Sequence, residues 1–152
     1  MADKKTGKKK ETKEEKKSKL IVETGKRKNA IARATISNGT GIVRINGVSF
    51  DVWGNDFLRM KVMEPLVMAS DLSSHVNINV NVRSGGKAGQ AEAARMAIAR
   101  ALVSFSKDKG LHDKFIQYDR NMLVFDSRRN EPHHAGGASR RGSRRHKQRS
   151  KR

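Results

Sequence analysis

Gly85-Gly86-Lys87 lies between a strand-like pattern and a helical one, the position that phosphate-binding loops occupy. Backbone N–H groups at such a turn can hold a phosphate oxygen, and Lys87 adds a cation. The stretch is not a P-loop: Ala88 follows Lys87 where Ser or Thr is needed, and the upstream glycine is missing. It also lacks the three-glycine dinucleotide pattern. Nucleotide hydrolysis is therefore not expected. An RNA backbone contact and a purely steric turn both stay open. The five His do not converge, since His133 and His134 are adjacent, His146 lies among Arg and Lys, and His112 falls on a helix surface. With no Cys and no clustered carboxylates, neither a metal site nor a cofactor is expected. No carboxylate pair is placed for acid–base work and no Ser has an evident base. The chain does not read as an enzyme.

The second chemical group is a run of guanidinium. Ser127 to Arg152 holds eight Arg and two Lys against one acid, Glu131, a net charge of +9. After Phe125 there is no Leu, Ile, Val, Met, Phe, Tyr or Trp. Such a stretch cannot bury enough apolar surface to offset the entropy of ordering its backbone. It is expected to be disordered alone and to order along a polyanion. Each Arg can fork two N–H groups onto a phosphate. A solubilising tail or a localisation signal is the plainer alternative.

These residues need a scaffold. The chain has 152 residues and a net charge of +19. Residues 1–19 hold nine Lys and four acids and read as a disordered Lys/Glu arm. Residues 20–126 hold fifteen basic and ten acidic residues and are long enough for one folded domain. The absence of Cys suits a reducing compartment. No apolar run reaches the roughly 20 residues of a membrane span, and no secretory leader is expected.

Within the domain, Leu20-Ile21-Val22 opens a strand and Gly25 to Asn29 reads as a basic turn. Ile31 to Ser37 is predicted to be a strand with Ala32, Ala34 and Ile36 on one face. Asn38-Gly39-Thr40-Gly41 predicts a hairpin to a return strand, Ile42 to Ile45, and Asn46-Gly47 a second turn. Asp56 to Met63 predicts a helix capped by Asn55, with Pro65 opening a second short helix to Ser70. The methionines of this region read as core fillers. His75 to Arg83 alternates without a fault: Val76, Ile78, Val80 and Val82 on one side, His75, Asn77, Asn79, Asn81 and Arg83 on the other. That Asn-rich face reads equally as RNA contact or solvated surface. Ala88 to Ser106 is the longest predicted helix, stopped by Gly110. Leu111 to Tyr118 follows as a short helix and Met122 to Phe125 as a last strand. The fold class is α+β, a mixed sheet with helices on one face. Lys26, Arg27, Lys28, Arg33, Arg44, Arg83, Lys87, Arg95 and Arg100 extend the basic footprint if they share a face.

Several stretches carry a resemblance. Gly25-Lys26-Arg27-Lys28-Asn29-Ala30-Ile31-Ala32-Arg33-Ala34 resembles the opening motif of the ninth-protein family of the small ribosomal subunit. Met63-Glu64-Pro65-Leu66 matches a second element. Gly89 to Arg95 with Ile98 to Leu102 matches a third. Tyr118 to Leu123 and Asp126 to Pro132 resemble the archaeal branch, and Ser150-Lys151-Arg152 fits the family's basic end. The resemblance covers about Val22 to Arg152. It implies a fold like the second domain of the fifth small-subunit protein, with a left-handed βαβ crossover. It implies a cytoplasmic, ribosomal place in the head of the small subunit, on the 3′ domain of its ribosomal RNA and beside other head proteins. It also implies that Ser150, Lys151 and Arg152 reach the peptidyl-site transfer RNA. Archaeal relatives often have Tyr where this chain has Lys151.

The residues expected to touch ribosomal RNA are Lys26, Arg27, Lys28 and Arg33 near the first turn, and Arg83, Gly85, Gly86, Lys87 and Gln90 around the glycine turn. In the tail they are Arg128, Arg129, Arg140, Arg141, Arg144, Arg145, Lys147 and Arg149. Neither a small-molecule substrate nor a membrane is expected as a partner. Two rival readings are a free nucleic-acid compaction protein, which would bind DNA and RNA of any shape alike, and a phosphotransferase using the glycine turn, which a nucleotide-binding assay would reveal.

Overall fold

Alternation and alanine content build the domain. In the computed structural model, which describes residues 20–128, β2 (Ala30–Asn38) buries Ala30, Ala32, Ala34 and Ile36. Strand β5 (Val76–Arg83) buries Val76, Ile78, Val80 and Val82. Their intervening residues point the other way, as a period of two requires. The remaining strands are β1 (Ile21–Arg27), β3 (Val43–Ile45) and β4 (Val48–Ser49). The five form one mixed sheet in the order β1-β2-β5-β3-β4. Pairs β1–β2, β2–β5 and β3–β4 are antiparallel, and β3–β5 is parallel. The α+β fold and mixed sheet are as expected.

Helix α3 (Lys87–Ser106) lies on the buried face and supplies six buried alanines together with Met96, Ile98 and Leu102. Short side chains let it come close to the strands. The approach is tightest at Gly25, where an added Cβ would stand 2.1 Å from the Ala93 carbonyl oxygen and 2.7 Å from the Ala97 nitrogen. Only glycine fits there. Helix α1 (Asp56–Met68) packs Leu58, Val62 and Pro65 inward, and α4 (Lys109–Tyr118) contributes Leu111 and Phe115.

Five local expectations need correction. Gly25-Lys26-Arg27 is not turn but the end of β1, and the chain reverses at Lys28-Asn29, with Lys28 at φ 52°. Asn38 to Gly41 does not fold β3 back on β2, because β5 takes the hydrogen bonds a hairpin would use. The Gly39 and Gly41 N–H groups donate to the carbonyls of His75 and Val76. Asn77 Oδ1 accepts from the N–H groups of Thr40 (2.9 Å) and Ile42 (3.1 Å). The hairpin that does form in this stretch is β3–β4, whose Asn46-Gly47 adopts φ 52° and 82°.

Pro65 sits inside one continuous α1, its ring buried in the core, and a separate turn of helix, α2, covers Ser70–Ser73. Gly110 does not stop α3. Lys107 does so with φ 57°, and Asp108 then caps α4 by accepting from the Gly110 N–H at 2.9 Å. The segment after α4 is a 3-10 turn, Arg120–Met122, rather than a strand, since Asp119 accepts from the Asn121 N–H and the Leu123 and Val124 N–H groups return to the Arg120 carbonyl.

Candidate RNA-binding surface

The sheet has one covered face and one open face. Register places Lys26, Ile31 and Arg83 in one row across β1, β2 and β5. The next row is Thr24, Arg33 and Asn81, and the third is Val22, Thr35, Asn79 and, on β3, Arg44. No Asp or Glu stands in any of these rows. Like-face neighbours across strands sit about 5 Å apart, so the four cations spread over a continuous hydrogen-bonding surface. Among the described residues, Lys26, Lys28, Arg33, Arg44, Arg83 and Lys87 make no ion pair. All six are exposed. Strand β1 brings Lys26, the β1–β2 turn brings Lys28, and the β5–α3 turn brings Lys87 to the same end of the sheet.

That turn owes its shape to packing. Ser84 and Gly85 adopt φ 61° and 71°, and a Cβ on Gly85 would lie 2.8 Å from Ala30. Gly86 meets nothing and stands as N-cap of α3, where no side chain caps the first turn. The free N–H groups and the positive end of a 20-residue helix therefore face outward next to Lys87. The steric and anion-binding readings of the turn are compatible: Gly85 satisfies the first and Gly86 leaves room for the second. Gln90 braces the turn, its amide donating to the Ser84 carbonyl at 3.1 Å.

The cations of the covered side behave differently. Arg27 meets Glu92 at 2.6 Å and also binds Asp126. Lys61 meets Glu92 at 3.2 Å. Arg95 bridges Glu64 and, at 2.7 Å, Asp119. Burial would raise the Glu92 carboxyl, but the Lys61 hydrogen bond and the Arg27 charge hold it below its ordinary value. Asp119 is likewise held low against the cost of burial, by Arg95 and by the Asn121 N–H. Arg100 reaches the Thr24 carbonyl and Glu23, and its guanidinium lies 4.8 Å from the Phe125 ring. This network ties β1, α1 and α3 to Asp126 and so fixes where the basic tail leaves the domain.

The expected RNA residues thus divide. Lys26, Lys28, Arg33, Arg83, Gly85, Gly86 and Lys87 stand on or beside the open face. Arg27 turns to the covered side. Arg128 is exposed, its backbone N–H donating to Asp126 Oδ1 at 2.8 Å. Arg129, Arg140, Arg141, Arg144, Arg145, Lys147, Arg149, Ser150, Lys151 and Arg152 lie outside the described residues, as does the Lys/Glu arm. Thr24 and Thr35 join the face through the pairing order alone, a long-range fact that no local pattern signals.

The ribosomal protein S9/S16 family matches residues 25–152 of the chain. The chain is also 48% identical over 130 residues to the small ribosomal subunit protein uS9 of Thermoplasma acidophilum, which spans 86% of this chain and 98% of that relative.

Proposed function

The chain belongs to the ribosomal protein S9/S16 family, and from that premise we propose that it is a structural, RNA-binding protein of the small ribosomal subunit, anchored by its open sheet face and threaded into RNA by its tail. The observation that carries this reading is the acid-free sheet face, whose cations make no ion pair among the described residues, whereas Arg27, Lys61, Arg95 and Arg100 on the covered side are each paired with a carboxylate. Phosphate contacts from Lys26, Lys28, Arg33, Arg83 and Lys87 would position the domain on RNA, with Asn79 and Asn81 able to donate to or accept from sugar and phosphate. The N–H groups at Gly86 and Lys87 suit one further phosphate. Arg27 and Gln90 act here by holding the frame.

The tail supplies the rest. Arg128, Arg129, Arg140, Arg141, Arg144, Arg145, Lys147 and Arg149 neutralise backbone phosphates of the ribosomal RNA 3′ domain in the subunit head. Ser150, Lys151 and Arg152 reach the peptidyl-site transfer RNA. The protein works in the cytoplasm as part of the ribosome and does no chemistry. The test joins sedimentation with binding. The full chain is expected to stay with small subunits through a high-salt wash. Replacing Arg33 and Arg83 together by Ala is expected to weaken binding to a head-domain RNA fragment by about 1 kcal/mol per contact after screening, while leaving thermal stability unchanged. Loss of the full chain in the wash, or unaltered RNA affinity of the double variant, would overturn the reading.

A further inference from the structure

Helix α1 carries a second apolar stripe that the domain does not use. Leu58, Val62 and Pro65 point inward, whereas Phe57, Met60, Met63 and Val67 recur on the outer side at helical spacing. Phe57 and Met60 are each 66% exposed and Val67 is 64% exposed. The expectation that these methionines fill the core is thereby corrected for Met60 and Met63. Beside the stripe runs a groove of about 560 Å³, lined by Ile42, Val43, Phe50, Leu66 and Val67 among others. Four exposed apolar residues on one side of a helix, two of them adaptable Met, beside an apolar groove mark a surface that another molecule covers.

The charges around the patch select the occupant. Asp51 lines the groove, Asp56 opens α1, and Asp71 lies in α2 next to the groove residue Ser70. All three are exposed. The cations on α1 are already engaged, Arg59 by Asp56 and the Asp51 carbonyl, Lys61 by Glu92. Phosphates are therefore repelled here, unlike at the open sheet face. The chain's residues 1–19 and 129–152 do not supply a cover for the stripe, because Met1 is the one large apolar side chain among them. A second copy across a two-fold axis would set the same aspartates against one another.

We propose that the outer face of α1 is the docking surface for another protein of the same particle, one that presents an apolar helix or strand flanked by Lys or Arg. Its apolar residues fill the groove and cover Met60 and Val67, and its cations meet Asp51 and Asp71, the two aspartates here that make no ion pair among the described residues. The domain then has opposite tasks on two sides, RNA on the cationic sheet and protein on the acidic-rimmed helix. This rests on the reading that the chain is held in small subunits.

Mild peroxide oxidation, read by mass spectrometry, tests it on the full chain, free and assembled. Buried Met96 and Met122 serve as slow internal references. Met60 and Met63 are expected to oxidise at least about tenfold more slowly in the subunit than in the free protein, as burial at an interface core implies. A photoreactive residue at Val67 is expected to cross-link to a protein segment with apolar residues flanked by Lys or Arg. Cross-links to ribosomal RNA, to a second copy, or to nothing would overturn the proposal. Unprotected methionines in an assembled subunit would overturn it alone. A chain that fails to enter subunits would remove the ribosomal reading and the docking with it. As a further arm, Val67→Glu is expected to keep RNA-fragment affinity and to lower subunit occupancy severalfold. Full occupancy of that variant would contradict the docking.

Discussion

Replacing Gly25 by Ala tests how α3 is seated on the sheet. The new methyl carbon would stand 2.1 Å from the Ala93 oxygen and 2.7 Å from the Ala97 nitrogen, where ordinary contact begins near 3.4 Å. Both atoms belong to the helix backbone and cannot swing aside. Helix and strand must part by more than 1 Å, roughly the shortfall at Ala93, and that gap loosens the alanine contacts over β1 and β2. Overpacking of this kind costs about 3 kcal/mol, the upper part of its usual range, with about 0.5 kcal/mol returned through the stiffer unfolded chain. For a domain of this size the melting temperature is expected to fall by roughly 10–20 °C. Gly86→Ala is the matched control, because nothing lies within 4 Å of its added Cβ and its φ is ordinary. That variant is expected to stay within about 0.5 kcal/mol of the parent. Thermal unfolding followed by far-ultraviolet circular dichroism reads both. Equal melting temperatures for the two variants would refute the argument that α3 crosses β1 at backbone contact.

Acid should unfold the domain through its ion-pair network. Glu92 and Asp119 bind protons less readily when folded than when unfolded, so their contribution is complete above the ordinary carboxylate range of about 4 and is lost as pH falls through their lower folded values. Urea unfolding across pH checks this, and Glu92→Gln is expected to flatten the acid limb while lowering stability at neutral pH. Removing Ser127 to Arg152 is expected to flatten the dependence of log RNA affinity on log salt, since each lost phosphate contact removes released counterions; an unchanged slope would mean that the tail is not the main phosphate-binding element. Deleting only Ser150 to Arg152 is expected to leave assembly near normal and to speed transfer-RNA release from the peptidyl site, by about 1–3 kcal/mol in affinity for two lost cationic contacts. Equal release rates at full protein occupancy would defeat that role.

Much of the frame was legible in local periodicity. The alternation of Val76, Ile78, Val80 and Val82 named β5 and its inward face, and the alanine-rich run after Gly89 named α3. The pairing order was not legible. Asn38-Gly39 signals a hairpin by its own turn preference, yet the side chain of Asn77, more than thirty residues on, captures two N–H groups of that loop. Gly25 looked like a turn residue because local patterns cannot show a helix passing overhead. Pro65 marked a helix start by rule, but burial of its ring against the core outweighed one missing hydrogen bond.

The site followed the same division. The cations were visible by type, but only the sheet register separates Lys26 and Arg33, which face outward, from Arg27, which turns inward to Glu92 and Asp126. The exposed stripe of α1 was hidden for a related reason. An apolar helix reads as core from sequence, and its two sides differ only in which one α3 covers.

In the proposed anchoring, the open sheet face lies against ribosomal RNA. Asn81 stands within that face, paired across the ladder with Arg33. A photoreactive residue placed at Asn81, in small subunits assembled with the full chain and irradiated, reports directly on what that face touches. Cross-links to nucleotides of the small-subunit RNA are the expected result. Cross-links to protein alone, or a face left free to react only with solvent, would contradict the claim.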